Sequence, residues 1–190
     1  RRSRNFCDEH EERRTKRKKI LLLFVLLLSS VAAFRVAAPA LPNRRVSSRV
    51  ACSAVMTGNL FVYGTLMADE VLIALLDRAP KRRTAFLRGY VRGTVRGESY
   101  PGIMPSPKEP TQDHKVEGLL IEDLSSRELR ALDYYEDDDY ERVEVTVQAA
   151  NEELVPAMVY LFAAARRGEI DLDQPWSLRP FREERLEAFL

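Results

Sequence analysis

Cysteine and histidine are scarce in this chain of 190 residues, two of each, and three of those four side chains, Cys7, His10 and Cys52, precede residue 57. Residues 57–190 therefore contain no disulfide and no thiol nucleophile. Their one imidazole, His114, sits in a stretch rich in Pro, Lys and Asp and reads as a solvated loop histidine. A Ser-His-Asp triad and a His/Cys metal cage both lack parts, and no metal or organic cofactor is expected. Internal repeats and coiled-coil heptads are absent as well. The near-neutral total of +1 hides a division. Residues 1–56 hold thirteen Lys and Arg against four Asp and Glu, a net of +9, which leaves seventeen against twenty-five, a net of −8, for residues 57–190. An acidic domain does not track a phosphate backbone, and no nucleic-acid partner is expected.

Residues 1–56 read as a targeting segment. A basic region ending Arg13-Arg14-Thr15-Lys16-Arg17-Lys18-Lys19 precedes Ile20 to Phe34, fifteen residues without a charge. That is a secretory signal pattern, and Val31-Ala32-Ala33 offers small residues for cleavage. Residues 35–56 carry Arg, Ser and Ala and no acid, a transit-peptide composition. Signal and transit segments in tandem resemble the bipartite leaders that deliver proteins to plastids bounded by extra membranes. The rival reading keeps residues 20–34 as a membrane anchor with the basic segment cytoplasmic, although the run is short of the ~20 apolar residues that a span needs.

Residues 57–190 read as one domain. Leu60 to Val62, bounded by Gly58-Asn59 and Gly64, is a buried central strand. Val71, Leu72, Leu75 and Leu76 give the next segment an apolar helical face, closed by Ala79-Pro80. Thr84 to Arg96 alternates loosely around Phe86, Tyr90, Val91 and Val95, with Gly89 and Gly93 interspersed, as in a bent or bulged strand pair. Val116 to Ile121 is a further strand, in which Gly118 marks either a bulge or a close approach of backbone or ligand. Ser125 and Glu128 form a capping box that opens a helix with Leu129, Leu132 and Tyr135 inward and its end near Glu136. Val143, Val145 and Val147 alternate in the first strand of a hairpin returning at Val155 to Phe162, and a last helix turns Phe181, Leu186, Phe189 and Leu190 toward the sheet.

Two stretches carry the functional signal. The first is Phe61-Val62-Tyr63-Gly64-Thr65-Leu66, where a strand stops at a glycine just before a helix. Such a turn is either ordinary or a small concavity of N–H groups suited to a carboxylate or an oxyanion. The second is Leu132-Asp133-Tyr134-Tyr135-Glu136-Asp137, followed by Tyr140-Glu141-Arg142. Five carboxylates, Glu136, Asp137, Asp138, Asp139 and Glu141, gather where a helix C-terminus carries partial negative charge, which costs a few tenths to about 1 kcal/mol unless offset. The dipole and the neighbouring charges also disfavour ionisation of any buried member. Charge runs are usually solvated turns, but breaking a local rule invites a functional reading.

Together with Tyr100-Pro101-Gly102-Ile103, Glu117-Gly118 and Val159-Tyr160 between and after them, these motifs resemble, in this order, the gamma-glutamylcyclotransferase-like family, including its gamma-glutamylamine cyclotransferase and avirulence-induced plant members. The resemblance covers about residues 59–190. It implies an α+β fold, with a strongly curved mixed β-sheet or small β-barrel and helices at 68–77, 125–136 and 179–190 packed around it. It also implies an enzyme that releases 5-oxoproline from γ-glutamyl amines or peptides. The glutamate at Glu136 would be the acid/base, rather than Asp137, Asp138 or Asp139. The loop Tyr63, Gly64, Thr65, Leu66, with Met67 and Ala68, would hold the γ-glutamyl part, and Tyr100 and Tyr160 either line the pocket or are core tyrosines. Arg142 would pair with the neighbouring acids or orient Glu136. The substrate's own amine is the nucleophile, which agrees with the missing thiol and imidazole. The alternatives are a catalytically silent module that binds a γ-glutamyl or other carboxylate ligand, and a membrane-tethered interaction protein.

Overall fold

The computed structural model describes residues 57–107 and 114–190. The proposed leader, with its signal, transit and anchor readings, lies outside the described residues, and among those described no helix is long and apolar enough to cross a membrane.

Strands β1 (Thr57–Val62), β2 (Arg82–Arg88), β5 (Lys115–Ser125), β6 (Tyr140–Ala149) and β7 (Leu154–Phe162) close a barrel in the order β1-β5-β2-β6-β7. The pairs are antiparallel except β1–β7, which is parallel, so the sheet is mixed as expected. Closure leaves β1 with a neighbour on each edge and packing on each face. Phe61 points into the barrel with Leu87, Leu120, Val147 and Val159. Leu60 and Val62 point outward into a second cluster with Leu72 and Leu75 of α1 (Asp69–Leu76), and with Leu129 and Leu132 of α2 (Ser126–Glu136). That two-sided burial is why the sequence there is continuously apolar rather than alternating. Gly118 resolves to close approach: a Cβ on it would stand 2.3 Å from the Val62 carbonyl oxygen, so β5 can cross β1 only with a hydrogen there.

The stretch 84–96 does not form a strand pair. Gly89, at φ +77°, turns the chain out of the barrel. Strand β3 (Tyr90–Val95) joins a separate sheet in the order β4-β3-β8, with β4 (Pro101–Pro105) and β8 (Ile170–Asp171). The Gly89 N–H donates to His114 O and its carbonyl accepts from Ser106 N, both at 2.8 Å, so the break is tied at both ends. This sheet holds Tyr100 and Pro101 against the end of β1.

The capping box of α2 is complete. The Ser125 hydroxyl accepts from Glu128 N at 3.3 Å, and the Ser125 N–H donates to the Glu128 carboxylate at 2.8 Å. At the other end Asp137, at φ +54°, stops the helix after Glu136. The C-terminal segment forms two short helices, α3 (Leu178–Glu184) and α4 (Leu186–Phe189). Phe181 is buried in the α1–α2 cluster, Leu186 and Phe189 pack at its edge, and Leu190, expected inward, is exposed. Arg182 of α3 donates to Glu70 of α1, which fixes the segment beside α1.

Candidate active site

Glu136 is the last residue of α2, and burial there is unusual for a charged side chain: it is 8% exposed. It faces the loop that leaves β1. One small cavity is lined by Glu136, by Phe61 to Leu66, and by Tyr100, Pro101, Tyr140 and Tyr160. The topology makes this meeting. Strand β7 lies parallel to β1 and brings Tyr160 alongside the loop, while α2 runs outside the barrel and ends beside it.

The loop is a single 3-10 turn, Thr65–Met67, before α1. Met67 N donates to Gly64 O at 2.9 Å and Ala68 N to Thr65 O at 3.1 Å. The N–H groups of Thr65 and Leu66 come ahead of that pattern and meet no acceptor within the turn. Gly64 is required by Pro101: a Cβ at 64 would stand 2.9 Å from Pro101 Cγ. The close approach at this glycine is thus made by a neighbouring side chain.

Hydrogen bonds fix the walls. Tyr63 OH donates to the Tyr160 carbonyl at 2.7 Å, and Tyr140 OH to the Pro101 carbonyl at 2.7 Å. The Thr65 hydroxyl meets Tyr135 OH at 3.3 Å. Tyr160 OH donates to Asp133 Oδ1 at 2.8 Å, and Arg142 Nε pairs with that same oxygen at 3.0 Å. Burial, then the bond to Asp133, pushes the Tyr160 hydroxyl above its ordinary value of 10, so it stays protonated and donates. Behind the loop, Arg92 Nη1 donates to the Tyr63 carbonyl at 2.8 Å and to Glu117 O at 3.2 Å, with its guanidinium 5.7 Å from the centre of the Trp176 ring. Burial lowers the Arg92 pKa, and the charge of Glu117 opposes that shift.

Of the residues singled out in the sequence, Glu136, Tyr63, Gly64, Thr65, Leu66, Tyr100 and Tyr160 come together around this cavity. Met67 and Ala68 do not: Met67 packs at the edge of the α1–α2 cluster and Ala68 is fully buried within it. Arg142 stands behind Tyr160, on Asp133. Asp139 is held by Arg166 in an ion pair, with both side chains largely buried, that offsets part of the charge at the helix end. Three residues that the sequence did not single out hold the walls of this cavity. Asp133 had a signal in its spacing, three residues before Glu136 on one helix face. Tyr140 lay inside a quoted motif without a role. Arg92 showed none, since a carbonyl acceptor leaves no mark in sequence. Among the described residues no group of His, Cys, Asp and Glu is arranged to hold a metal ion.

Residues 60–178 match the model of the family described as "Gamma-glutamyl cyclotransferase, AIG2-like". AIG2-like protein D of Arabidopsis thaliana is 33% identical over 134 residues, 70% of this chain and 84% of that protein. Two solution structures of Arabidopsis thaliana proteins superpose with TM-scores of 0.53, at 31% and 32% identity. The first alignment covers 72% of this chain and 88% of that one, the second 70% and 77%. With barrel, loop and buried glutamate in the order the sequence motifs implied, the chain belongs to the gamma-glutamyl cyclotransferase, AIG2-like family.

Proposed function

We propose that the chain is a cyclotransferase that releases 5-oxoproline from γ-glutamyl amines or small γ-glutamyl peptides. The observation that carries this reading is a buried carboxylate, Glu136, sharing one cavity with the Gly64 loop in a lining that contains neither thiol nor imidazole. In the reaction proposed for such a site the substrate brings its own nucleophile. The α-amine nitrogen of the γ-glutamyl group attacks its own γ-carbonyl carbon, the new C–N bond closes a five-membered ring, and the bond to the leaving amine breaks. Glu136 takes the proton that the attacking nitrogen sheds and returns it to the departing nitrogen, so atoms and charge balance without water. Folding the chain back on itself contributes through orientation, and the positioned proton transfer contributes roughly 10²–10⁴-fold. The Thr65 and Leu66 N–H groups receive the α-carboxylate or the developing oxyanion, and the Tyr160 hydroxyl, held by Asp133, keeps that wall in place.

The test is a panel of γ-glutamyl amines, γ-glutamyl amino acids and glutathione assayed for 5-oxoproline, with the Glu136→Gln variant in parallel. Release that disappears in the variant supports the enzyme. Saturable binding of these compounds without product supports a silent binding module instead. We further propose that residues 1–56 deliver the domain to a plastid and are removed, which sequencing the N-terminus of the mature protein tests: a mature chain retaining residues 20–34 overturns it in favour of an anchor.

A further inference from the structure

Strands β1 and β5 part where the loop begins. Val62 and Leu119 are their last paired residues, and beyond them Arg92, from β3 of the second sheet, spans the opening. Its Nη1 donates to the Tyr63 carbonyl on one side and to the Glu117 carbonyl on the other, at 2.8 and 3.2 Å. Trp176 lies over the guanidinium, with 5.7 Å from its ring centre to the central carbon, and is itself fixed by donation to Ser99 O at 2.9 Å. A neutral donor would join two carbonyls at a smaller desolvation cost, and burial does lower the Arg92 pKa, so a charge at this place calls for a reason. The cavity supplies one. Its lining holds one carboxylate, Glu136, and no Lys, Arg or His, while Arg142 behind Tyr160 is already paired with Asp133.

Resting on the cyclotransferase reading, we propose that Arg92 is a positioning residue for the Gly64 loop, needed for its charge as well as its reach. It acts through the Tyr63–Gly64 peptide. That peptide is trans, so a carbonyl drawn toward Arg92 sends the Gly64 N–H the opposite way. Donation from a cation also polarises the amide and strengthens its own N–H as a donor. A γ-glutamyl substrate brings an α-carboxylate, and its transition state an oxyanion, into an acidic domain beside a buried Glu136. A guanidinium one peptide behind the loop offsets that repulsion from outside the lining. Arg92 belongs to the second sheet and its acceptors to the barrel, so the same contact fixes the loop against Pro101, which β4 of the second sheet carries. Lysine would keep the charge but donates from a single point rather than a planar fork.

The experiment compares Arg92→Lys, Arg92→Gln and Arg92→Met with wild type in the full chain. Each is assayed for 5-oxoproline release from γ-glutamyl-pentylamine, γ-glutamylalanine and glutathione, for thermal midpoint and, in a Glu136→Gln background, for Kd of the same compounds by calorimetry. The expected kcat/KM falls about 10²-fold in Arg92→Met and in Arg92→Gln, whereas Arg92→Lys stays within about tenfold of wild type. Kd rises about tenfold in the two neutral variants and less in Arg92→Lys. A merely structural role would instead make activity follow the thermal midpoint and return it on assay well below that midpoint. That result, equal loss in Arg92→Lys and Arg92→Gln, or a neutral variant within about threefold of wild type overturns the proposal. Where Arg92→Met does not fold, the Lys and Gln variants carry the comparison alone. Release from none of the three compounds by wild type, with the order in Kd kept, sinks the cyclotransferase reading and supports the role of Arg92, and binding of none overturns both.

Discussion

The two ends of α2 are built to opposite rules. At its N-terminus every local preference is met: Ser125 and Glu128 satisfy each other's backbone, and Arg78 clamps the Glu128 carboxylate from outside. At its C-terminus carboxylates gather against the helix dipole, Asp137 takes a positive φ, and Glu136 is buried. One end is arranged for stability alone. The other gives up stability to place a carboxylate beside the Gly64 loop, and the fold compensates nearby by pairing Arg166 with Asp139 and Glu169. Within one helix of eleven residues, stability and the proposed chemistry should therefore separate under substitution.

The sharpest contrast should come from Glu136→Gln, which keeps shape and removes the proton carrier. Loss of kcat by about 10²–10⁴-fold with little change in thermal midpoint is expected, read by 5-oxoproline release and a melting curve. Gly64→Ala should come next. Its Cβ drives into Pro101, whose carbonyl holds Tyr140, so both stability, by about 1–3 kcal/mol, and kcat/KM should fall, as measured by urea unfolding and kinetics. Asp133→Asn removes the charge that holds Arg142 and keeps an acceptor for Tyr160. The expected result is a drop of about tenfold in kcat/KM with the fold intact, and recovery in Asp133→Glu would show that the charge rather than the shape is needed.

The N-terminal end should answer in the other currency. Ser125→Ala should cost about 1 kcal/mol of stability with kcat unchanged. The Arg78 guanidinium, and then Ser125, hold the Glu128 carboxyl down at about 2 from an ordinary 4.5. A lowered carboxyl stabilises the fold above its ordinary value, and that contribution is lost as pH falls from about 4.5 toward 2. Denaturant midpoints of wild type and Glu128→Gln should therefore differ at pH 6 and converge near pH 2. The smallest effect belongs to exposed Asp138, where Asn should change neither stability nor rate measurably, whereas Asp139→Asn should cost about 1–3 kcal/mol by leaving Arg166 short of a partner.

Local structure was legible in the sequence. Strand β1, the capping box, the β6–β7 hairpin and the end of α2 follow from patterns spanning a few residues, and Glu136 and the Gly64 loop followed from motif order. The departure of β3 from the barrel was hidden, because the same apolar residues and glycines serve a bulged pair or a change of sheet, and only the left-handed Gly89 decides. The packing of Gly64 on Pro101, the grip of Arg92 on a carbonyl and the bond of Trp176 to the Ser99 carbonyl join residues 29 to 77 positions apart, and no local pattern records them. Leu190 was placed inward by extending one helical period, but the helix breaks at Arg185 and the phase is lost there.

The most direct measurement concerns which nucleophile attacks. A γ-glutamyl amine turned over by the full chain in heavy-oxygen water should give 5-oxoproline and free amine in equal amounts, with no label in the product, because the substrate's amine and not water closes on the carbonyl while Glu136 moves the proton. Labelled glutamate in place of 5-oxoproline would contradict that, and would make Glu136 the base of a hydrolase.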